Sequence, residues 1–312
     1  MTVTDRLLNA AFIYAPRLPD GLVRAACAFA ADVAWLIRGS GVKQLEKNLL
    51  RIRAANPATV SKASRTAMRN YFRYYAEALR LGAYSKEQID ARVSVVMSEE
   101  ARRDIAHGST LLALGHLGNW DLAGAWGSRH LAPVLTVAEH LSPEELFRAF
   151  VKLREDAGMT IIALERGSRV FPQLLRHSRA NHHLVCLLAD RDLSHTGLPA
   201  SLCGQPARVA AGPAALSLAA KIPLYFVGIR HVRLTGQARR AAGSPWGIEL
   251  EFTGPLTTAA SGSEGIADLT AQWTAAMSHY LERYPLDWHM LQPVFDADLD
   301  LARVRAKQEG AA

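Results

Sequence analysis

Two periodicities divide the chain. Up to about Arg103, apolar residues recur at the three-to-four-residue spacing of a packed helix stripe. Leu7, Leu8, Ala11, Phe12 and Tyr14 predict a helix over 6–18, followed by helices over 22–37 and 43–54. The stretch 56–81 reads as a long amphipathic helix with Tyr71, Phe72, Tyr74 and Tyr75 near its end. It enters through Asn56-Pro57, a capping residue followed by proline at the first helical position. From Thr110 the pattern alternates. Short apolar strands at 110–114, 133–138, 160–164, 184–189 and 224–229 are separated by helical stretches at 119–130, 143–157, 170–180 and 211–221. A β-rich segment near 248–252, a loop over 257–265 and an amphipathic helix over 266–284 complete the chain. Strands that are apolar at every position need cover on both faces. The expected fold class is therefore α/β: an α/β/α sandwich around a mostly parallel central sheet, with an all-helical N-terminal cap. That cap, over 1–105, is expected to depend on the core over 106–312 rather than to form a separate domain.

Bulk composition narrows the class. A chain of 312 residues with 49% hydrophobic and 21% charged residues has a sizeable core and is not disordered. The three cysteines, Cys27, Cys186 and Cys203, form no CxxC pair and suggest reduced thiols. The start Met1–Asp5 lacks a basic signal-type region, and the apolar stretch 22–37 is interrupted by Arg24 and Asp32. It is also shorter than the roughly 20 clean residues of a spanning helix, so the expectation is a chain that does not cross a bilayer. A net charge of +7 suits nucleic acid, anionic lipid or an anionic small substrate alike.

Chemistry concentrates in Leu111-Leu112-Ala113-Leu114-Gly115-His116-Leu117-Gly118-Asn119-Trp120-Asp121. A histidine stands where an apolar strand ends, between two glycines that permit a tight turn, with a carboxylate five positions on. Asp121 falls in the first turn of the following helix, where negative charge is favourable. A carboxylate on Nδ1–H would leave Nε2 to take a proton from a substrate hydroxyl, the logic of a hydrolytic triad with the hydroxyl supplied from outside. A His-x4-acid spacing alone is weak, since His140 and Glu145 also make one. Only His116 sits at a strand-to-helix switch, where α/β proteins build sites. Other classes fit less well. The chain has no Gly-x-Ser-x-Gly, and Gly39-Ser40-Gly41 lacks the third glycine of a dinucleotide fingerprint. His182-His183 would point to opposite faces of an extended segment, so no metal is expected. A nucleic-acid module would explain the charge but not the buried strand ending in His116. A non-catalytic lipid-binding protein stays open as an alternative.

In this setting the His-x4-Asp run resembles the glycerolipid and lysophospholipid acyltransferases, and more closely their lipid A late-acyltransferase branch. The resemblance extends over Leu45-Glu46-Lys47-Asn48-Leu49, Arg69-Asn70-Tyr71-Phe72-Arg73-Tyr74, Leu187-Leu188-Ala189-Asp190-Arg191-Asp192 and residues 204–214. The end Pro285-Leu286-Asp287-Trp288-His289-Met290-Leu291-Gln292-Pro293 looks most like the phosphatidylinositol mannoside acyltransferases of that branch. What the resemblance implies is a peripheral enzyme on the cytoplasmic face of the plasma membrane, needing no cofactor. It would move a long acyl chain, typically palmitoyl, from acyl-CoA to the 6-hydroxyl of a mannose on phosphatidylinositol mannoside. Lipid A or another lysophospholipid or glycolipid would be the alternative acceptor. His116 would be the base, with either Asp121 or Asp190 as its carboxylate. Glu139 and Arg154 would form a polar pair near the transfer site, and Asn119 and Arg191 would contact substrate. An anionic membrane surface would be met by Arg6, Arg17, Arg24 and Arg38 beside Leu7, Phe12 and Tyr14; nucleic acid is not expected as a partner.

Overall fold

A computed structural model describes residues 11, 14–139, 144–164, 169–192 and 197–299, apart from the side chains of Glu139 and Leu146. The described helices are α1 (Asp20–Ile37), α2 (Ser40–Arg51), α3 (Val60–Ala78), α4 (Lys86–Asp90), α5 (Glu99–His107), α6 (Trp120–His130), α7 (Glu144–Asp156), α8 (Val170–Ala180), α9 (Gly212–Ala220), α10 (Gly236–Ala242) and α11 (Gly262–Arg283). The strands are β1 (Val93–Val96), β2 (Thr110–Leu114), β3 (Val134–Glu139), β4 (Thr160–Leu164), β5 (Leu184–Leu188), β6 (Gly197–Leu202), β7 (Gln205–Ala210), β8 (Leu224–Arg233) and β9 (Trp246–Leu256).

Seven strands form one sheet in the order β1-β9-β8-β2-β5-β3-β4, and β6 and β7 form a separate antiparallel hairpin. The run β8-β2-β5-β3-β4 is parallel throughout, and β9 joins β8 antiparallel. Because side chains alternate across a strand, β8 sends Val227 and Ile229 toward one face and Phe226 toward the other, where the ring meets Tyr280 of α11 at 6.0 Å. β2 is buried at all five positions, the signature of a central strand covered on both sides. This is the α/β sandwich expected from the apolar strands.

Two differences from the sequence pattern matter. Val93–Val96, within the stretch read as helical, is an edge strand parallel to β9. Four residues are too few to show a period, and the partner strand decides their conformation. β8 runs four residues beyond the expected end at 229, through Arg-His-Val-Arg, because β9 pairs with it as far as Arg233. The extension carries His231.

In the helical cap, Asp32 of α1 takes bidentate hydrogen bonds from Arg65 and Arg69 of α3, and the Trp35 indole N–H donates to Ser64 at 3.0 Å. These contacts fix which side of α1 faces inward. Leu22, Phe29, Val33, Leu36 and Ile37 are left exposed, Phe29 at 72% and Ile37 at 74%. Positions 22, 29, 33 and 36 share one helix face. No described helix is long and apolar enough to cross a membrane. Of the basic residues expected on this surface, Arg24 pairs with Asp20 and Arg38 with Glu46, while Arg6, Leu7 and Phe12 lie outside the described residues. Arg17 has its own partner as well. Arg17 and Arg38 are exposed, and the exposed face of α1 beside them is apolar.

Candidate active site

β2 and β5 are adjacent and in register, Leu114 opposite Leu188, so the residues leaving their C-terminal ends emerge side by side. That places Asp190 against His116, although 74 residues separate them in sequence. The imidazole Nδ1–H donates to Asp190 Oδ1 at 2.6 Å, and the His116 backbone N–H donates to Oδ2 at 3.0 Å. Oδ2 accepts a further bond from the Trp288 indole N–H at 2.8 Å. The carboxylate that orients His116 is thus Asp190, and its short side chain reaches because the two strand ends are neighbours. Asp190 is fully buried. Burial alone would raise its pKa, but the His116 charge and these donors hold it below the ordinary carboxylate range. For His116, burial disfavours the cation, while the Asp190 charge and hydrogen bond outweigh it and raise the pKa. Nε2 is the remaining nitrogen, on a side chain that is 38% exposed.

Asp121 has different partners. Oδ1 accepts from Arg154 Nε at 2.6 Å and Oδ2 from the Tyr74 hydroxyl at 2.9 Å. The pair is buried, joining α3, α6 and α7, and Arg154 is held in its charged form: burial opposes the charge, but Asp121 prevails. Asn119 is buried rather than presented to a ligand. Its carbonyl oxygen caps α6 through the Leu122 N–H at 2.9 Å, and its amide donates to Glu77 Oε2 at 2.8 Å. Arg191 Nε donates to the Pro293 carbonyl at 3.0 Å. The Glu139 side chain and His140 lie outside the described residues, so β3 is described at Glu139 only as backbone. Trp120 stands at the site, 4.2 Å from the Tyr74 ring and 5.6 Å from the His116 ring between centroids.

A second layer escaped the sequence pattern. Asp287 accepts from His231 Nδ1 at 2.8 Å, and His231 Nε2 lies 3.5 Å from Glu77. Burial would lower the His231 pKa, but the hydrogen bonds and charges of Asp287 and Glu77 raise it to about 9, so the ring is a buried cation. His289 is the opposite case. Burial pushes it down to about 3, and the neutral ring donates from Nε2 to the Gly118 carbonyl at 2.9 Å. Gly118 adopts φ +54°, and a Cβ there would lie 2.7 Å from the Ile229 carbonyl oxygen, so only glycine fits this turn. The sequence held a cue in the segment 285–293, but nothing local tied it to His116.

Beneath α6, an apolar cavity of about 70 Å³ runs along the sheet. Its upper end is lined by Trp120, Asp121 and Arg154, and its lower end by Val134 and Leu184. The small residues Ala123, Gly124 and Gly127 keep the helix wall thin. His116 and Asp190 do not line the cavity, but Trp120 does and stands between it and the His116 ring; a histidine–carboxylate pair so placed can deprotonate a hydroxyl near a bound apolar chain. Among the described residues, no group of three or more His, Cys, Asp or Glu side chains is arranged to hold a metal ion.

Known proteins match this chain along nearly its full length. A phosphatidylinositol mannoside acyltransferase of Mycolicibacterium smegmatis is 32% identical over 303 residues, covering 95% of this chain and 93% of the relative. One of the same name from Mycobacterium tuberculosis is 32% identical over 309 residues, covering 97% and 92%. The family described as bacterial lipid A biosynthesis acyltransferase matches residues 2–296. With that match spanning both the helical cap and the sheet that carries His116, the chain belongs to the bacterial lipid A biosynthesis acyltransferase family.

Proposed function

We propose that this acyltransferase moves a long acyl group, palmitoyl in the expected case, from acyl-CoA to the 6-hydroxyl of a mannose on phosphatidylinositol mannoside. The observation that carries the reaction type is His116 fixed through Nδ1 by buried Asp190, with Trp120, 5.6 Å from its ring, lining the apolar cavity. The names of the mycobacterial relatives support the acceptor. In the proposed step, the sugar oxygen attacks the thioester carbonyl carbon while His116 Nε2 takes the hydroxyl proton. The tetrahedral intermediate collapses with cleavage of the C–S bond, and the imidazolium returns its proton to the leaving sulfur, giving the ester and free thiol. Asp190 holds the ring and steadies the imidazolium without leaving its place. The backbone N–H groups of Leu117 and Gly118 already donate to Gly115 and Asp287 carbonyls. The oxyanion is therefore assigned to Arg154 or to the N-terminus of α6.

The first methylenes of the acyl chain are placed in the cavity beneath α6, and the enzyme on the cytoplasmic face of the plasma membrane, held by the apolar face of α1. The deciding experiment offers radiolabelled palmitoyl-CoA with phosphatidylinositol mannoside and, in parallel, with a lipid A precursor. Transfer to the mannoside is expected; transfer only to the lipid A precursor would reassign the acceptor. His116→Ala separates an enzyme from a lipid-binding protein: transfer should be lost with acyl-CoA binding retained, and unchanged transfer would defeat the mechanism.

A further inference from the structure

The His116 turn is fastened from outside by a segment more than 160 residues away in sequence. Gly118 N–H donates to the Asp287 carbonyl at 2.9 Å, and His289 N–H donates to the His116 carbonyl at 2.8 Å. Leu117 and Trp288 thereby form an isolated antiparallel bridge. One strap, Asp287-Trp288-His289, pairs with the turn through its backbone and sends its middle side chain to the carboxylate beneath. The Trp288 ring is fully buried, and its indole N–H ends on Asp190 Oδ2.

The strap is itself anchored. Asp287 accepts from both the ring and the backbone N–H of His231, at 2.8 and 3.3 Å. The same imidazole faces Glu77, which holds Asn119 at the other end of the turn. Together these contacts place a neutral side-chain donor, beside the His116 backbone N–H, on the carboxylate that orients the base, supported from both ends of the base's own turn.

We propose that Trp288 is a positioning residue for acyl transfer, its indole N–H fixing the Asp190 carboxylate and moderating the negative charge it presents to His116. The proposal rests on His116 being the base. An indole donor draws charge from Oδ2 and leaves a less basic partner for Nδ1–H. Removing the donor makes Asp190 more basic, ties the imidazolium more tightly and moves the His116 titration upward. The other charged or titratable groups around the pair are Arg191 beside Asp190, the Arg154–Asp121 pair on α6 and α7, and His289, Asp287 and His231 on the strap side. The donors to Asp190 Oδ2 are the Trp288 indole and the His116 backbone N–H, and the backbone donor, already engaged there, does not replace the indole.

The test compares wild type with Trp288→Phe, which keeps an aromatic ring and deletes the donor. In the folded variant, the acidic limb of kcat/KM should move up by about half to one pH unit, with kcat lower by about tenfold and KM for acyl-CoA unchanged. An unmoved acidic limb would overturn the proposal. A second measurement needs no substitution and no turnover. In wild-type protein labelled with ¹⁵N-tryptophan, the carboxylate-bonded indole N–H should resonate downfield and shift with the same midpoint as the His116 ring. No downfield indole signal following that titration would equally overturn the idea. Since this titration involves neither acyl donor nor acceptor, its failure is distinct from a failed palmitoyl transfer assay.

Discussion

At the scale of single residues, two buried carboxylates near one histidine have separable tasks. Asp190 faces His116 and Asp121 faces Arg154, so matched substitutions should fail in different ways. Asp190→Asn keeps the shape but removes the charge that raises the His116 pKa. The acidic limb of kcat/KM should move to lower pH, and kcat should fall by roughly 10³–10⁴-fold, as when a triad loses its orienting carboxylate. A pH–rate profile that kept its acidic limb would refute this division. Asp121→Asn leaves the Arg154 guanidinium buried without its counter-charge. Removal of one partner from such a pair costs about 3–5 kcal/mol, to be read from urea unfolding, with the His116 titration in place. His116 and Asp121 were legible in sequence because a glycine-flanked strand exit is a local pattern. The choice between Asp121 and Asp190 was not, because it depends on β5 lying next to β2.

At the scale of elements, α6 joins the chemistry to the apolar chain. Its first turn carries Asp121 and its middle presents Gly124 and Gly127 to the cavity. A Cβ at Gly127 would meet Leu184 and Val134 at ordinary contact distances of 3.6 and 3.7 Å. A larger side chain there would project into the lower end. Gly127→Leu should shift preference from palmitoyl-CoA toward shorter donors by roughly tenfold or more, one lost pocket position for several methylenes. An unchanged donor profile would place the chain elsewhere. The longer helices followed from periodicity and the central strands from short all-apolar runs, whereas the short helices α4, α5 and α10 and the β6–β7 hairpin were not read. Nor was β1, because its four residues acquire a conformation only by pairing with β9. The end of β8 was missed for a related reason: Arg230, His231 and Arg233 interrupt an apolar run, yet pairing with β9 continues through them.

At the scale of the whole molecule, a buried cation joins cap, sheet and C-terminal strap: Glu77 comes from α3, His231 from β8 and Asp287 from the segment after α11. The His231 pKa lies above that of an unfolded histidine, so the folded state binds this proton more tightly. Its stabilisation is fully present below about pH 6.5 and fades as pH rises through about 9. Glu77 and Asp287, both held low, act in the opposite sense, and their share is lost only as acid protonates them. Melting temperature should therefore fall between about pH 6.5 and 9, and His231→Asn should flatten that slope; an equally steep slope in the variant would refute the assignment. The exposed face of α1 gives a second whole-molecule expectation. Phe29→Asp with Leu36→Asp should weaken binding to anionic vesicles at least tenfold while sparing turnover of detergent-dispersed substrate, and undiminished vesicle binding would exclude that face.

The amino-acid order by itself determined the alternation of strands and helices, the glycine-flanked histidine and the helical start, because these depend on neighbours within a few residues. Tertiary structure alone decided which carboxylate meets the imidazole, which indole steadies that carboxylate and where His231 is buried. Hydrogen bonds act over about 3 Å in space, whatever the distance along the chain, and the folded sheet sets those neighbours.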